Sequence, residues 1–175
     1  MKIIIVLPSI NIGGAERVAS ILEREWYKKN ETKIVVFDVS NSTYSFKGEI
    51  IDLKLRSFNT IIFKVIQLIR RSFQLLKIFR KEKPDQIFSF MESANFPSII
   101  SSCITGNLNK LTISVHADPV TMPKTHRLLI SFLYLYPRKI VSVSKGVYEA
   151  LSKIGISKKK LKLIYNPLSD TSPNI

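Results

Sequence analysis

The sequence predicts an α/β domain in which a mainly parallel β-sheet carries helices on both faces. Short runs of β-branched and aromatic residues alternate with longer segments of helical periodicity, which is the order of elements in a doubly wound, Rossmann-like sheet. The first run, Ile3-Ile4-Ile5-Val6-Leu7, is apolar throughout, as expected of a buried strand. At 175 residues with 45% hydrophobic content, the chain has the size of one domain with a single core.

Local chemistry supports several of the predicted boundaries. Gly13-Gly14 permits a tight turn between the first strand and the first helix. Pro84 disfavours helical backbone in the preceding residue and so ends the second helix. Ser144 is a suitable N-cap for the last helix, and Gly155 suits its C-terminal end. The predicted strands are Lys2–Leu7, Lys33–Asp38, Glu49–Leu53, Gln86–Phe90, Lys110–Val115, Lys139–Val143 and Leu161–Ile164, and the predicted helices are Ala15–Lys29, Thr60–Lys83, Ala94–Ser102, Pro123–Tyr136 and Lys145–Lys153.

The chain is strongly basic, and the charge is concentrated in two regions. The formal net charge is +14. Residues 54–83 contain nine basic residues and one acid, and residues 124–162 contain ten and one. Such fields attract anionic partners, which are either nucleic acid or anionic lipid headgroups. Charge alone does not choose between the two.

Cysteine content and hydropathy narrow the class of protein. Cys103 is the only cysteine, so neither an internal disulfide nor a cysteine cluster for metal is possible. The longest nearly apolar stretch, Leu128–Tyr136, is far shorter than the roughly 20 residues that a membrane-spanning helix needs. The apolar run at the N-terminus is too short for a secretion signal. We therefore expect a cytoplasmic domain without a transmembrane helix, a bound metal or a cofactor.

A glycine loop follows the first predicted strand. Gly13 and Gly14 open the first helix, and Glu16 lies in its first turn. Ligands of open α/β sheets bind beyond the carboxyl ends of the strands, where free N–H groups at a helix N-terminus favour anions. The spacing of the glycines matches neither the dinucleotide-binding nor the P-loop pattern. A binding loop and a plain turn are therefore both open at this position.

Four short segments, spread along the whole chain, carry a family resemblance. They are Gly13–Val18, Ser114–Pro119, Val141–Val147 and Lys162–Pro167. In this order they resemble glycosyltransferase family 4. The resemblance implies one half of a GT-B fold, namely the N-terminal domain, which binds the acceptor. It also implies that residues 1–165 form this domain, that 166–175 begin the linker to a second domain, and that the donor-binding signature of that second domain is absent.

The resemblance also assigns roles to the polar residues at the predicted sheet edge. His116 matches a histidine that lines the cleft near the transferred sugar, where it donates or accepts a hydrogen bond or a proton. Glu92 and Asn95 are candidates for binding acceptor hydroxyls, or else they cap a helix. Asp118 is a further candidate substrate contact, or a turn former. Gly13, Gly14 and Glu16 complete the predicted substrate-binding set.

Two segments predict contact with an anionic membrane surface. The second helix has an apolar stripe, which either lies on an anionic membrane or packs on the sheet beneath a solvated basic face. Both are open together, because further apolar residues such as Phe63 widen the apolar face beyond one packing stripe. The segment 124–139, which includes Arg127, has cationic ends around an aromatic and aliphatic centre whose tyrosines suit the headgroup region. The stripe of the second helix is Ile62, Val65 or Ile66, Ile69, Phe73, Leu76 and Phe79, and its basic residues are Lys64, Arg70, Arg71, Lys77, Arg80 and Lys81.

The leading hypothesis is the N-terminal domain of a glycosyltransferase, peripheral on the cytoplasmic face of the membrane. It would act with a nucleotide-sugar donor on a lipid-linked or cell-envelope glycan acceptor, with retention of configuration as the family implies, and would be inactive alone. A basic nucleic-acid-binding domain would use the charge but leaves the His116 turn unexplained. A stand-alone acceptor-binding or membrane-binding subunit, completed by a C-terminal domain in trans, is a third hypothesis. A nicotinamide-dependent oxidoreductase, with Asp38 binding ribose, lacks the required glycine spacing.

Overall fold

The computed structural model describes residues 1–39, 43–55 and 61–167, without the side chains of residues 61 and 62. Two of the sequence-based predictions fall outside these ranges, namely the helix start at Thr60 and the linker residues 168–175. The strands and helices are, in chain order, β1 (Lys2–Ser9), α1 (Gly14–Tyr27), β2 (Glu31–Asp38), β3 (Glu49–Asp52), α2 (Ile61–Glu82), β4 (Gln86–Phe90), α3 (Glu92–Thr105), β5 (Leu111–Val115), α4 (Lys124–Leu133), β6 (Lys139–Ser142), α5 (Lys145–Lys153) and β7 (Leu161–Leu163).

The strands form one parallel sheet in the order β3-β2-β1-β4-β5-β6-β7. The direction of winding reverses between β1 and β4, so a crevice opens at the carboxyl ends of these two central strands. The predicted doubly wound fold class is thereby confirmed. The predicted bounds of β4 and α5 agree with the structure residue for residue, and the other elements differ by a few residues at their ends.

The sheet separates two layers of packed side chains. Ile3, Ile5 and Leu7 point to the face that α1 covers. Ile4 and Val6 point to the opposite face, which is covered by residues of α2, α3, α4 and α5. Because successive side chains of a strand alternate between faces, the five consecutive residues 3–7 of β1 must all be apolar to fill both layers.

The α2 helix packs through a different face from the one that its apolar periodicity predicts. Leu75 and Phe79 are buried in the core, but Ile69 and Phe73 of the predicted stripe are 64% and 56% exposed. The buried face is partly polar, and the Ser101 hydroxyl of α3 donates to a carbonyl of α2 at 2.7 Å. Because serine side chains are small, α2 and α3 can approach closely through this face. The more apolar stripe of α2 therefore faces outward. Of the named stripe, Phe79 packs in the core, whereas Ile69 and Phe73 do not pack on the sheet.

A network of ion pairs joins the amino ends of the central strands to the end of α2. One carboxylate oxygen of Glu82 lies 3.1 Å from Lys2 Nζ and 3.0 Å from Lys33 Nζ, and Lys33 also pairs with Glu49 at 2.8 Å. The hydrogen bonds from Lys33 and Lys2 lower the pKa of Glu82. Hydrogen bonds to Glu49 and Glu82 raise the pKa of Lys33. The network fixes the C-terminal end of α2. Any part of this long helix that extends beyond the sheet therefore lies at its N-terminal end.

We expect Glu82→Gln to lower the free energy of unfolding by about 1 kcal/mol at neutral pH, because Glu82 is only 8% exposed and faces two lysines. The folded-state pKa of Glu82 is below its unfolded value. Its contribution is therefore present above about pH 4.3 and is lost as the pH falls through the folded pKa. Urea unfolding at pH 7 and at decreasing pH should show the difference between variant and wild type shrinking in acid.

Glu25→Gln is the matched control for this experiment. Glu25 pairs with Lys28 at 2.7 Å, but both side chains are 61% exposed. Its removal should change the free energy of unfolding by less than about 0.5 kcal/mol. Equal losses in the two variants, or a loss at Glu82 that does not depend on pH, would contradict the assignment.

Candidate functional site

Three turns meet at the carboxyl edge of the sheet. They follow the neighbouring strands β1, β4 and β5 and carry the candidate residues Gly13, Glu92 and His116. The turn after β4 is hydrogen-bonded to strand β5, since the Met91 N–H donates to the Ser114 carbonyl at 3.2 Å. The structure thus brings together residues that lie about a hundred positions apart in the chain.

The glycine loop is shaped by the carboxylate of Glu16. Gly13 caps α1 with extended backbone, and a Cβ placed on it would lie 2.1 Å from Glu16 Oε2. Glu16 is buried and accepts a hydrogen bond from the Ser9 hydroxyl at 3.2 Å. Gly13 is therefore needed for space, and the favourable position for an anion near the helix N-terminus is taken by the protein's own carboxylate. At Gly14, a Cβ would meet no atom within 4 Å.

His116 is held half-buried just beyond the end of β5. Its Nε2 lies 3.0 Å from the Ser114 hydroxyl, and its ring centroid lies 6.0 Å from that of Phe90. Burial lowers the pKa of His116 to about 4, because a charged imidazole loses hydration there. At neutral pH the ring is uncharged, so it offers one hydrogen-bond donor and one acceptor.

Glu92 presents an unsatisfied carboxylate oxygen at the start of α3. The residue is half-buried, and its Oε1 is fully buried with no hydrogen-bond partner in the part of the chain that the structure describes. Burial raises the pKa of Glu92. The residue before it, Met91, has φ 69° and ψ 153°, a conformation that costs a non-glycine residue roughly 1–3 kcal/mol. Strain and an unpaired buried oxygen at one turn are both typical of a binding site.

Asn95 is directed into the core, which corrects the expectation that it contacts an acceptor. The side chain is fully buried, and its Nδ2 donates to the Ser114 carbonyl at 3.0 Å and to the Tyr134 hydroxyl at 3.2 Å. Tyr134 is itself fully buried, and burial raises its pKa well above the ordinary range. It therefore does not lie at a headgroup surface, where the sequence placed it. The Asn95 amide ties α3 to β5 and to the end of α4.

Asp118 forms the turn after His116. Its carboxylate accepts a hydrogen bond from the Val120 N–H at 2.8 Å, and its carbonyl accepts one from the Thr121 hydroxyl at 2.8 Å. These bonds start a short 3₁₀ helix over Pro119–Thr121. They match the turn-forming alternative, and a contact between Asp118 and substrate stays a prediction.

The basic residues predicted to contact a membrane divide into two groups. Most of those on α2 are exposed, and Arg127 on α4 is partly exposed. Arg71 is buried instead, with its guanidinium 4.5 Å from the centre of the Phe37 ring and 3.4 Å from the Leu55 carbonyl. The prediction that Arg71 belongs to the exposed basic face is therefore wrong. The exposed basic residues of α2 are Lys64, Arg70, Lys77, Arg80 and Lys81.

Comparison with known proteins identifies the family. The model of glycosyltransferase family 4 matches residues 12–171. The chain belongs to glycosyltransferase family 4. The match begins after β1 and covers the other six strands, and it contains Gly13, Glu92 and His116 of the candidate site.

Relatives agree with this assignment and place the chain within longer proteins. It is 28% identical over 172 residues to a Campylobacter jejuni α-1,4-N-acetyl-D-galactosaminyltransferase, named for an undecaprenyl-diphosphate-linked glycan, and the match covers 95% of this chain and 46% of the relative. A lipopolysaccharide outer core galactosyltransferase in its apo form superposes with a TM-score of 0.71 at 17% identity, covering 98% of this chain and 47% of that one. This family 4 chain thus spans about half the length of these proteins.

The fold by itself is shared with enzymes of a different reaction. The UDP-GlcNAc 2-epimerase of Neisseria meningitidis, solved with bound UDP-GlcNAc, superposes with a TM-score of 0.64 at 13% identity over 93% of this chain and 45% of that one. At this identity the likeness shows the fold alone. Within residues 1–39, 43–55 and 61–167, no group of three or more His, Cys, Asp or Glu residues is placed to hold a metal ion.

We expect Gly13→Ala to lower the free energy of unfolding by about 1 kcal/mol, because the added methyl displaces the Glu16 carboxylate and alanine is a poor N-cap. Gly14→Ala is the control. Its methyl enters open space at the first helical position, so it should leave stability unchanged or raise it slightly. Equal effects of the two substitutions in urea unfolding would contradict the role of Gly13.

Proposed function

We propose that this chain is the acceptor-binding half of a glycosyltransferase that transfers a sugar from a nucleotide-sugar donor to a lipid-linked or cell-envelope glycan. The observation that carries the proposal is the placement of Glu92 and His116 directly after the neighbouring strands β4 and β5, at the carboxyl edge of a family 4 sheet. The buried Oε1 of Glu92 lacks a partner among the described residues, so the carboxylate can turn toward an acceptor hydroxyl without losing a hydrogen bond at that oxygen.

The chemistry that these two side chains offer is hydrogen bonding and proton handling. Glu92 accepts a hydrogen bond from an acceptor hydroxyl, which orients the oxygen for attack on the donor sugar. The neutral ring of His116 contributes one further donor or acceptor without introducing a charge. Both groups lie where burial strengthens their interactions with a ligand.

The donor is supplied from outside this domain in the proposal. We infer that residues 1–165 form the acceptor domain and that 166–175 lead toward a donor-binding domain, present in the same protein or in trans. The described chain reaches Pro167, and the relatives are about twice as long as the match. Transfer requires both domains to close over the reacting groups and exclude water, so the isolated chain is inactive.

The outward face of α2 supports placement of this domain on the cytoplasmic surface of an anionic membrane. The helix has 22 residues against 14 in α3, or about 33 Å against about 21 Å. Its C-terminal end is fixed by Glu82, and the consecutive residues 63–66 are all exposed, so its first turns project beyond the sheet edge that carries the site. Phe63, Ile69 and Phe73 lie on this exposed part.

Exposed apolar residues on α4 and just after its end extend the same layer. Leu128, Phe132 and Tyr136 are exposed, and α4 packs beside α3 on the side of the sheet that α2 also covers. None of the helices in the described ranges is both long and apolar enough to span a bilayer. An amphipathic helix with cationic flanks binds instead in the plane of the interface. A lipid-linked acceptor would then reach the site from the surface on which the domain rests.

Binding of acceptor and absence of turnover can be tested with the chain itself. The probe is a short-chain polyprenyl diphosphate carrying an N-acetylgalactosamine disaccharide, followed by calorimetry at pH 7. We expect Glu92→Gln to weaken binding about tenfold, because a hydrogen bond to a charged group is lost. With UDP-N-acetylgalactosamine added, the isolated chain should yield no product.

Glu149→Gln on α5 is the control, because Glu149 is exposed and its contact with Lys145 is 3.9 Å long. It should bind as wild type does. Product formation by the chain alone, or unchanged acceptor binding by the Glu92 variant, would refute the proposal that this half binds the acceptor and a second domain binds the donor.

Membrane contact can be tested by co-sedimentation with phosphatidylglycerol-containing and neutral vesicles. We expect binding to the anionic vesicles that high salt reduces without abolishing, since both charge and apolar insertion contribute. The double variant Phe63→Ser with Ile69→Ser should lose the salt-resistant fraction. Ile104→Ser, which removes an exposed apolar residue at the end of α3, should not.

A duplex DNA competitor in the same assay tests the nucleic-acid alternative. Complete release from vesicles by salt and by duplex would favour a nucleic-acid-binding domain, because that interaction is dominated by release of counterions. Vesicle binding that duplex DNA does not reduce would support contact with a membrane.

A further inference from the structure

Met91, the residue before Glu92, is held at both of its backbone polar groups. Its N–H donates to the Ser114 carbonyl of β5 at 3.2 Å, and its carbonyl accepts from the N–H groups of Ala94 and Asn95 in α3 at 3.0 and 2.8 Å. The residue thus spans the gap between β5 and the first turn of α3. Its φ of 69° and ψ of 153° form a combination that glycine adopts freely and other residues avoid.

The side chain of Asn95 sets the width of this gap. Its Nδ2 donates to the same Ser114 carbonyl at 3.0 Å and to the Tyr134 hydroxyl at 3.2 Å. The amide has only this orientation, because a flipped amide would bring its oxygen against the Ser114 carbonyl, and two acceptors cannot share a hydrogen bond. Asn95 is fully buried, so its bond to β5 is costly to leave unmade. It fixes α3 against β5 at the position that Met91 must bridge.

We propose that Asn95 is a positioning residue for Glu92, which acts by holding Met91 in its strained conformation. With α3 fixed against β5 by the Asn95 amide, Met91 keeps its hydrogen bonds to both elements only at a positive φ. Glu92 follows Met91 directly, so the backbone angles of Met91 decide where the Glu92 carboxylate lies at the sheet edge. The positioning is a property of the unliganded chain, and its consequence for acceptor binding rests on the proposed function of Glu92.

The strain at Met91 can be measured by comparing two substitutions at that position. Met91→Gly and Met91→Ala both remove the side chain, but only glycine takes a positive φ without cost. We expect Met91→Gly to unfold at a higher urea concentration than Met91→Ala. At an unstrained position the order is the opposite, because glycine gives the unfolded chain more conformational freedom. That opposite order would overturn the proposal.

The role of Asn95 is tested in the whole 175-residue chain, labelled with ¹⁵N. The double variant Asn95→Leu with Tyr134→Phe replaces both partners of a buried hydrogen bond by apolar groups of similar size, a change that folded proteins tolerate. Tyr134→Phe alone is the matched control, because it keeps the bond from Asn95 to β5. The readout is the NOE between the amide and Hα protons of Met91, which is strong at a positive φ. We expect it to be strong in the wild type and the control and weak in the double variant.

A weak NOE at Met91 in the wild type, or a strong one in the double variant, would overturn the proposal. The first result, like the comparison of the two Met91 variants, does not depend on a substitution in the core.

Binding of the lipid-linked glycan probe, measured by calorimetry, separates the positioning from the proposed function. We expect the double variant to bind up to about tenfold more weakly than Tyr134→Phe, the loss expected for Glu92→Gln. If Met91 responds to Asn95 but Glu92→Gln leaves glycan binding unchanged, the positioning stands and the acceptor role of Glu92 fails. If Glu92→Gln weakens binding and the double variant does not, Glu92 binds the acceptor without help from Asn95, and the positioning fails.

Discussion

The parallel arrangement of the sheet is the constraint on which the rest of the molecule depends. Each crossover returns the chain to the amino end of the next strand, so every strand ends at the same edge. The winding reverses between β1 and β4, which leaves this edge open at the centre of the sheet. The glycine loop, the turn of Glu92 and the turn of His116 lie at this edge because of the topology of the sheet.

Buried polar groups give this edge its rigidity. A wholly apolar interior would leave the turns after β4 and β5 free to shift, whereas the amide of Asn95 ties α3, the helix that follows β4, to β5 through the Ser114 carbonyl. The same interior holds Met91 in a conformation that non-glycine residues avoid. Only a well-packed surrounding maintains such strain, and the strain in turn points to a site at which the position of Glu92 matters more than local stability.

The α2 helix illustrates how much of the structure could be predicted from the sequence and where prediction failed. Its existence, length and basic character follow from periodicity and charge, and its end follows from Pro84. Periodicity could not choose its packing face, because the helix has apolar residues on two sides. Contact with the small residues of α3 decided the choice, and it turned Arg71 inward over the Phe37 ring. The outward apolar stripe that results is unusual for a surface exposed only to water.

The sequence by itself determined the strands, the helices, the doubly wound class and the family, because strand and helix periods, turn residues and short motifs are local properties. It also identified Glu92 and His116 as members of one edge. Only the tertiary structure decided that Asn95 lies in the core and that the Ser114 hydroxyl contacts the His116 ring. The reason is physical. The sequence shows which residues carry an amide or a hydroxyl, but not whether that group faces a ligand or the core, because its partners come from distant strands and helices.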